Sequence, residues 1–479
     1  MTISSEKNKT LRAGAAQVDI TPTTNIHVSG EVGWFRPGEE VVDPLYAKAL
    51  VFASSSSKIC LVVLDLTIIT KEWTDRIRKE AARIFDLDPQ AVMLHVTQNH
   101  SAPSLGHYMV DKEFTNIPDE MEWLKGGDSR YFEFAYERIL EAIKKAHDSL
   151  EPVRLSVGSG IEGRVQFNRR AITSDGKVRM PGPRWPEPLG PTYIRYLEGP
   201  IDPEVGVLCV KNESQQIIAQ LLHHTCHPVN VFPRQVFSAD WPGAWSDQMR
   251  ETFGPACVPL VINGCCGNIN PWNPFDPDYQ PDHESMGRLL AETTRNVIET
   301  LDVEEDVALD YRFEQVKIPF RPLDPVQLAE AQKLLSQHPK PVYSKQSAYA
   351  AYEENSSTTR PGLEVVDPKW MWAANLVSKH LRMQREPEMN YQIQAFRIGR
   401  TALLALPGEP FVEGQLQIKM ASPAHRTLIA HCCNMYCGYI PTVEAFDRGG
   451  HEIDWSKLVP EALEVVTKTS CKMIEELWK

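Results

Sequence analysis

The sequence contains no segment that is apolar enough to cross a membrane. Its longest apolar run, ICLVVLDLTII, is interrupted by Asp65 and is shorter than the roughly 20 residues that span a bilayer. The N-terminal residues MTISSEKNKT are polar and lack the apolar core of a signal peptide. We therefore expect a protein without a transmembrane segment that resides in the cytoplasm.

The chain also lacks an excess of positive charge. It carries 50 Lys and Arg against 63 Asp and Glu, which gives a formal net charge of −13. Proteins that bind nucleic acid neutralise its phosphates with clustered Lys and Arg, and no basic stripe occurs here. The composition predicts a small-molecule partner and no nucleic-acid partner, and it leaves open whether the protein is a homo-oligomer.

Several catalytic signatures are missing. The GxSxG turn of serine hydrolases, the GxxxxGK[ST] phosphate loop and the HExxH zinc motif are all absent. The ten cysteines include the pairs Cys265–Cys266 and Cys432–Cys433 but form no CxxC…CxxC motif. In a chain without a leader this pattern favours buried, reduced thiols over disulfides, and packing over a nucleophilic role.

The order of the predicted elements indicates an α/β fold. The segment 43–69 predicts two strands around a Ser-rich turn, and 91–100 predicts a further strand. Between them, 70–85 has helical spacing, with Trp73, Ile77, Ala81 and Ile84 on one side. Strand, helix and strand in this order are typical of α/β proteins.

The composition changes over residues 320–388, which are rich in proline and polar residues. Two helices are predicted there, PVQLAEAQKLLSQ and WMWAANLVSKHLRMQ. Long loops without secondary structure are uncommon inside compact domains. We therefore predict a helical insertion or cap within one domain that covers residues 11–479.

Polar turns follow abruptly after five predicted strands. These turns are Gln98–His100, HHTCHP at 223–228, NGCCGNINP at 263–271, PGEP at 407–410 and NMYCGYIPT at 434–442. Ligands of α/β sheets bind at the carboxyl ends of strands, so the turns are expected to converge. His100, His227 and Glu409 would suit zinc, which takes imidazole and carboxylate ligands. The alternatives are a structural His227 and a Glu409 that stabilises a helix N-terminus.

In chain order, the turns and their flanking segments resemble those of a known family. The segments are GAAQVDITP, DPLYAKALVF, TQNHSAPS, HHTCHPVN, SADWPG, NGCCGNINP, LPGEP and YCGYIPT. They are similar to segments of the neutral/alkaline (non-lysosomal) ceramidase superfamily, zinc amidases that cleave the N-acyl bond of ceramide. The resemblance implies a multilayer sheet-and-helix catalytic domain of neutral-ceramidase type, without the C-terminal immunoglobulin-like domain of the family.

The resemblance also implies a set of metal ligands. His227, Glu409 and Tyr439 match zinc ligands of the family, and His100 matches a histidine that contacts substrate. Gln98 stands where the family has its first zinc-binding histidine. A carboxamide oxygen is a poor zinc ligand and suits harder cations better. Three alternatives follow: Gln98 is a ligand through its oxygen, His100 takes over as ligand, or the metal is lost.

Other matched positions differ from the family and concern the substrate. Asn268 and Asn270 replace an acid and a serine, and His451 replaces a tyrosine. Asp240 in SADWPG is retained and is expected to orient a ligand or substrate. Arg169 matches an arginine that lines the active site. These differences predict a small, soluble, polar substrate in place of ceramide.

Three functions remain open from the sequence. The leading one is a metal-dependent hydrolase, with zinc as the expected ion, that acts on an amide or similar bond. In it His100 is the acid/base candidate, Arg169, Asn268 and Asn270 contact substrate, and Tyr439 is a ligand or proton donor. The second is a carbohydrate-directed hydrolase that stacks sugars on tryptophans; the candidates are Trp241, Trp245 and Trp272. The third is a metal-free, degenerate enzyme that acts as a binding protein.

Overall fold

The computed structural model describes residues 11–180, 193–276, 278–301, 303–304, 307–344 and 365–479. The strands are β1 Arg12–Asp19, β2 Glu40–Val41, β3 Tyr46–Ala53, β4 Lys58–Leu64, β5 Val92–Val96, β6 Glu151–Ile161, β7 Phe167–Asn168, β8 Ala171–Thr173, β9 Val178–Arg179, β10 Ile194–Leu197, β11 Glu204–Asn212, β12 Ile217–His224, β13 Val236–Phe237, β14 Val258–Asn263, β15 Ile269–Asn270, β16 Leu309–Pro319, β17 Tyr343–Ser344, β18 Val365–Val366, β19 Glu388–Ile398, β20 Thr401–Ala405, β21 Glu409–Pro410, β22 Arg426–Ala430 and β23 Tyr439–Ile440. The helices are α1 Lys71–Phe85, α2 Ser129–Asp148, α3 Asp240–Phe253, α4 His283–Ile298, α5 Pro325–Gln337, α6 Pro368–Arg385, α7 Val412–Ala421, α8 Val443–Arg448, α9 His451–Asp454 and α10 Ala462–Leu477. Short 3-10 helices span Pro89–Ala91 and Asp119–Lys125.

Two sheets form the centre of the molecule. The larger has the strand order β14-β12-β11-β6-β1-β3-β4-β5, and the smaller has the order β16-β19-β20-β22. Neighbouring strands are antiparallel except for the pairs β12–β14, β4–β5 and β20–β22, which are parallel. The parallel pairs matter for function because their strands end at a common edge, where the polar turns begin.

The sheets pack face to face, and helices cover both outer faces. In β3, Leu50 and Phe52 point into the space between the sheets and meet Phe396 and Leu403 of the smaller sheet. Val51 points the other way, towards the core beneath α1 and α2. Helices α3 and α4 cover the rest of that face, and α7 and α10 cover the smaller sheet. The predicted multilayer α/β fold is confirmed, with helix, sheet, sheet and helix layers.

Helix α1 shows how far periodicity alone predicts burial. Thr70 is its N-cap, and Ile77 and Ala81 are buried as expected. The prediction for Ile84 was wrong, because this side chain is 46% exposed while Phe85 is buried. Positions 77, 81 and 85 are successive i, i+4 neighbours on one face, and Ile84 lies beside that face.

The segment between β16 and β19 leaves the smaller sheet and returns to it. It contains α5 and α6, whose capping residues Asp324 and Asp367 accept hydrogen bonds from the first turns. Ala331 of α5 packs near Trp370 of α6 and near Phe114 of the main domain. Both helices overlap the two predicted from sequence; residues 345–364 between them lie outside the described part of the chain. In that described part, no helix has the length and apolar character needed to cross a membrane.

Candidate functional site

The polar turns converge at the ends of strands from both sheets. Gln98 follows β5 and His227 follows β12 in the larger sheet, and His431 follows β22 in the smaller one. Glu409 pairs with Tyr439 in the short parallel ladder of β21 and β23. Backbone hydrogen bonds connect the turns: the amide of residue 267 donates to the carbonyl of residue 410, and that of 432 to the carbonyl of 408.

Gln98 and His100 occupy a strained turn after β5. Gln98 has a φ of 61°, in the left-handed region that non-glycine residues seldom adopt. The His100 ring lies edge-on to the His227 ring, with 5.7 Å between centroids. Burial and the nearby His227 lower the pKa of His100 to about 3. His100 therefore enters any reaction near neutral pH as an unprotonated base.

Glu409 is the central acid of the site. Its side chain is buried, its Oε2 lies 3.1 Å from His227 Nε2, and its Oε1 accepts a 2.7 Å hydrogen bond from the Tyr436 hydroxyl. The carboxamide of Gln98 also contacts it. Burial raises the pKa of this carboxyl, but His227 and Arg169 outweigh burial and lower the pKa below its usual range. Glu409 is therefore a carboxylate.

The backbone fixes the protonated nitrogen of His227. Its Nδ1 lies 2.6 Å from the Cys266 carbonyl oxygen and 3.1 Å from that of Ile269, so Nδ1 carries a proton and donates. A neutral ring then presents a lone pair at Nε2, which faces the carboxylate of Glu409. Two acceptors at this distance require a cation between them, either a second ring proton or a metal ion. Histidines that bind metals are oriented by this type of backbone contact.

His431 is a site residue that the sequence reasoning missed. Its Nδ1 lies 2.9 Å from the Asn263 carbonyl oxygen, its Nε2 lies 2.9 Å from Gln98 Oε1, and Cys266 Sγ lies 3.5 Å from the same Nε2. Burial lowers the pKa of His431 to about 4. The available signal was its position directly after the apolar strand RTLIA, the same pattern that singled out Gln98 and His227.

These contacts determine which way the Gln98 carboxamide faces. A neutral His431 that donates from Nδ1 offers only an acceptor at Nε2, so it needs a donor from Gln98. The oxygen and the nitrogen of a carboxamide are nearly isosteric, so the two atoms can be exchanged by a half-turn of the group. A Gln98 carboxamide turned in this way places its NH2 against His431. As placed, Gln98 Oε1 faces His431 and the carboxamide hydrogen-bonds to Glu409. In the turned orientation Oε1 would face Glu409 and would add a third acceptor beside His227 Nε2.

A second cluster is centred on Arg169. Its Nε donates to Glu452 Oε1 at 2.7 Å and its Nη1 to Asn270 Oδ1 at 3.2 Å, while its guanidinium lies 5.3 Å from the centre of the Tyr439 ring. Burial and Glu409 raise the pKa of Tyr439 well above its usual value. Tyr439 is therefore a neutral phenol. Glu452, which the sequence reasoning missed, also accepts from Arg170 at 2.6 Å and fixes both arginines.

Two predicted substrate residues are occupied in holding turns. The amide of Asn268 donates to Glu413 at 3.0 Å and its oxygen accepts from the backbone of residue 412 at 3.0 Å. The carboxylate of Asp240 is fully buried and accepts from Asn230 at 3.0 Å and from the backbone of residue 231 at 2.9 Å. Both residues therefore help to hold the loops beside the site.

Other histidines near the turns divide between the core and the edge of the site. His95 is buried between the His431 carbonyl oxygen and the backbone amide of Asn263, at 2.7 and 3.0 Å, and is a packing residue. His451 is exposed, although burial lowers its pKa to about 4. Its ring lies edge-on to the Tyr439 ring, with 5.6 Å between centroids, at the edge of the site. Tyr108 and Tyr436, edge-on at 5.2 Å, are half-buried.

The donors present fit a divalent cation with mixed ligands. Among the described residues, no three His, Cys, Asp or Glu side chains are grouped so as to hold a metal ion. His227 and Glu409 supply two ligands of those types, and Gln98, Tyr439 and His100 remain the candidates for a further donor. One imidazole and several oxygens suit harder divalent cations as well as zinc. The His100 ring lies edge-on to the His227 ring, with 5.7 Å between centroids.

A sandwich of two sheets between helix layers, with polar strand ends at one edge, defines a fold class shared with solved hydrolases. The chain is similar to neutral ceramidase from Pseudomonas aeruginosa, with a TM-score of 0.70 and 17% identity over 98% of this chain and 75% of that one. It is also similar to a ceramidase complexed with C2, with a TM-score of 0.69 and 18% identity over the same shares. The neutral-ceramidase-type fold is thus confirmed. No family model matches the sequence, and no curated protein does.

Proposed function

We propose that this protein is a metal-dependent hydrolase of an amide or similar bond in a small soluble substrate. The observation that carries the proposal is the buried contact of 3.1 Å between His227 Nε2 and Glu409 Oε2, beside the carboxamide of Gln98. A divalent cation would pair with the carboxylate and with the lone pair of the imidazole. The structural likeness to ceramidases suggests zinc, and the carboxamide oxygen of Gln98 extends the choice to harder divalent ions.

When bound, such an ion supplies a Lewis acid and lowers the pKa of water towards neutrality. The protein groups around it have separate tasks. Tyr439 accepts a hydrogen bond from Arg169, which leaves the phenol proton free to donate to an oxygen that gains negative charge. His100, unprotonated and partly accessible, takes a proton and returns it to the leaving amine.

The residues at the edge of the site favour a polar substrate over ceramide. His100 and Tyr436 are half-buried and His451 is exposed. A ceramide would bring two long apolar chains against these polar side chains and would remove water from them. A short, polar amide would form hydrogen bonds with these side chains.

The carbohydrate alternative loses its structural support. Trp241 and Trp245 are fully buried in the core beneath α3 and α4, so neither face can stack on a sugar. Trp272 is half-buried, and one partly covered indole does not make a sugar platform. The prediction that Trp241 and Trp245 offer stacking surfaces was wrong, because both rings lie on the buried face of α3.

The proposal is tested by elemental analysis of the purified protein together with an amide and glycoside substrate panel. About one divalent ion per chain, amide cleavage that chelation abolishes, and loss of both in Glu409→Gln are expected. Glu162→Gln is the control, because it changes a buried acid that binds Arg164 in its own loop. Metal-free wild type that binds but does not cleave amides would instead indicate a degenerate enzyme.

A further inference from the structure

A group of four cationic side chains lies where the insertion meets the main domain. We call it the basic cluster; its members are Arg321, Lys379, Arg382 and Lys457. Lys379 and Arg382 are three positions apart on α6 and share one helix face. The backbone amide of Arg321 donates to the Lys457 carbonyl oxygen at 2.9 Å. The Arg382 guanidinium lies 5.3 Å from the centre of the Phe320 ring.

The basic cluster has no counter-ion of its own. Within the described residues, none of its side chains has an ion pair or hydrogen bond. The nearby Asp111 is taken by Arg385, at 2.8 and 3.0 Å, and Asp454 near Arg321 is exposed to solvent. Burial and the other cations lower the pKa of Lys379 to about 7. Burial and Arg382 lower the pKa of Lys457 to about 8.

The cluster adjoins the candidate catalytic site. Lys457 Nζ lies 5.7 Å from the centre of the Tyr436 ring, and the Tyr436 hydroxyl donates to Glu409. One aromatic ring therefore separates the cluster from the central acid. All four members are half-buried.

We propose that the basic cluster is a subsite for an oxyanion group of the substrate, a phosphate, sulfate or carboxylate. The inference rests on the proposed hydrolase function and deepens it, since it makes the substrate an acid-bearing amide. Half-buried cations without partners are costly, and an oxyanion offsets that cost. Each of the two guanidinium groups can donate a pair of hydrogen bonds to an oxyanion, and the two ammonium groups add positive charge.

The distance between the basic cluster and Glu409 indicates where each end of the substrate would bind. The anionic group would be held between α6 of the insertion and the chain around Lys457, and the scissile bond would lie beyond Tyr436, near Glu409. Tyr436 would then contact the part of the substrate that joins the two ends. An enzyme built in this way selects against neutral amides, since they would leave the cations unpaired.

The subsite is tested without reference to catalysis by calorimetric titration of the full chain with inorganic sulfate at constant ionic strength. Lys457→Met and the double variant Lys379→Met/Arg382→Met should each bind sulfate at least about tenfold more weakly, the factor that one charge-assisted hydrogen bond provides. Lys369→Met is the matched control, because this exposed lysine lies on the same helix. Thermal unfolding of each variant checks that it is folded.

Sulfate binding that is equal in wild type, control and both cluster variants would overturn the subsite. Two further measurements distinguish an anionic group of the substrate from a free ion. Competitive inhibition of amide cleavage by sulfate, together with higher kcat/KM for acid-bearing amides, supports a substrate group. Binding without competition would overturn the substrate assignment and indicate a site for a free ion. An inactive protein that still binds sulfate through the cluster would refute the proposed hydrolase and leave the anion site standing.

Discussion

Gln98 and His431 are neighbours across the two sheets, with 2.9 Å between Gln98 Oε1 and His431 Nε2. Gln98 ends a strand of the larger sheet and His431 ends a strand of the smaller one. The hydrogen bond of His431 Nδ1 to the Asn263 carbonyl oxygen leaves Nε2 as an acceptor, which favours a turned carboxamide with its NH2 against His431. His431 would then decide which atom of Gln98 faces the proposed metal site.

This relationship predicts the effect of Gln98→His on metal preference. An imidazole at position 98 replaces a weak oxygen donor with a nitrogen that zinc prefers. We expect zinc affinity to rise by about tenfold or more, the range that ligand-sphere changes produce, while affinity for harder cations falls. Competition with a chromophoric chelator measures both.

Gln98→Ala is the control for this substitution, since it removes the donor without replacing it and should weaken binding of every ion. Equal zinc affinity in wild type and Gln98→His would mean that position 98 does not face the ion. In that case the turned orientation of the Gln98 carboxamide, with its NH2 against His431, would be wrong.

Tyr439→Phe separates two roles of the tyrosine. If the phenol donates to the oxygen that gains charge, its loss should lower kcat by about 100-fold or more. KM and metal content should change little, because the ring keeps its cation–π contact with Arg169 and only the hydrogen bond to the hydroxyl is lost. Steady-state kinetics with elemental analysis measure these quantities.

Tyr131→Phe is the matched control, because it removes a buried hydroxyl that donates to the Ile20 carbonyl oxygen at 2.6 Å, away from the site. Loss of metal in Tyr439→Phe would show that the tyrosine is a ligand. A kcat equal to that of the control would remove it from the mechanism.

Much of the fold follows from local sequence. The strand β3 is apolar at every buried position except Lys48, and α5 begins at a proline behind a capping Asp324. Such signals depend on a few adjacent residues. The convergence of Gln98, His227 and Glu409 was also predictable, since strand ends share an edge.

The missed and misassigned residues depend on contacts between distant parts of the chain. His431 meets Gln98 across 333 positions and Glu452 meets Arg169 across 283, and no spacing rule covers such separations. Asp240 was expected to orient a ligand or substrate, and its buried carboxylate accepts hydrogen bonds from Asn230 and from the backbone of residue 231. Whether a polar side chain faces a ligand or a turn is decided by packing, which a linear pattern does not contain.

Gly30→Ala should disturb both stability and activity. Gly30 has a φ of 96°, and a Cβ at this position would lie 2.7 Å from His100 Nδ1. We expect the free energy of unfolding to fall by about 2–5 kcal/mol, because left-handed backbone costs about 1–2 kcal/mol and overpacking about 1–3 kcal/mol. Displacement of His100 should also lower kcat. Urea denaturation and kinetics measure the two effects.

Gly176→Ala is the control for this prediction. Its φ is 78°, and no atom lies within 4 Å of the added Cβ, so it carries the backbone cost without the clash. It should lose about 1–2 kcal/mol and keep full activity. Equal losses in the two variants would show that the Gly30 site adapts to the methyl group and that His100 does not depend on it.

Acid should destabilise the protein through buried His27, which stacks on Phe35 at 5.9 Å between centroids. Burial and Arg36 lower its pKa from 6.5 to about 3. Because the folded-state pKa is depressed, the unfolded chain binds the extra proton below pH 6.5. The stability that this ring provides is therefore present above pH 6.5 and declines as pH falls towards 3. Between pH 7 and pH 5 the linkage amounts to about 2 kcal/mol.

Urea denaturation of His27→Gln at the two pH values measures this contribution. The variant should be less stable than wild type at pH 7, and it should lose about 2 kcal/mol less on acidification to pH 5. His338→Gln, at an exposed position, removes an imidazole from the surface and should keep the wild-type pH dependence. Equal losses of unfolding free energy in His27→Gln and wild type on acidification would mean that His27 takes up its proton in the folded state. The acid sensitivity must then come from other buried imidazoles. Candidates are His95 and His224, whose pKa values burial also lowers.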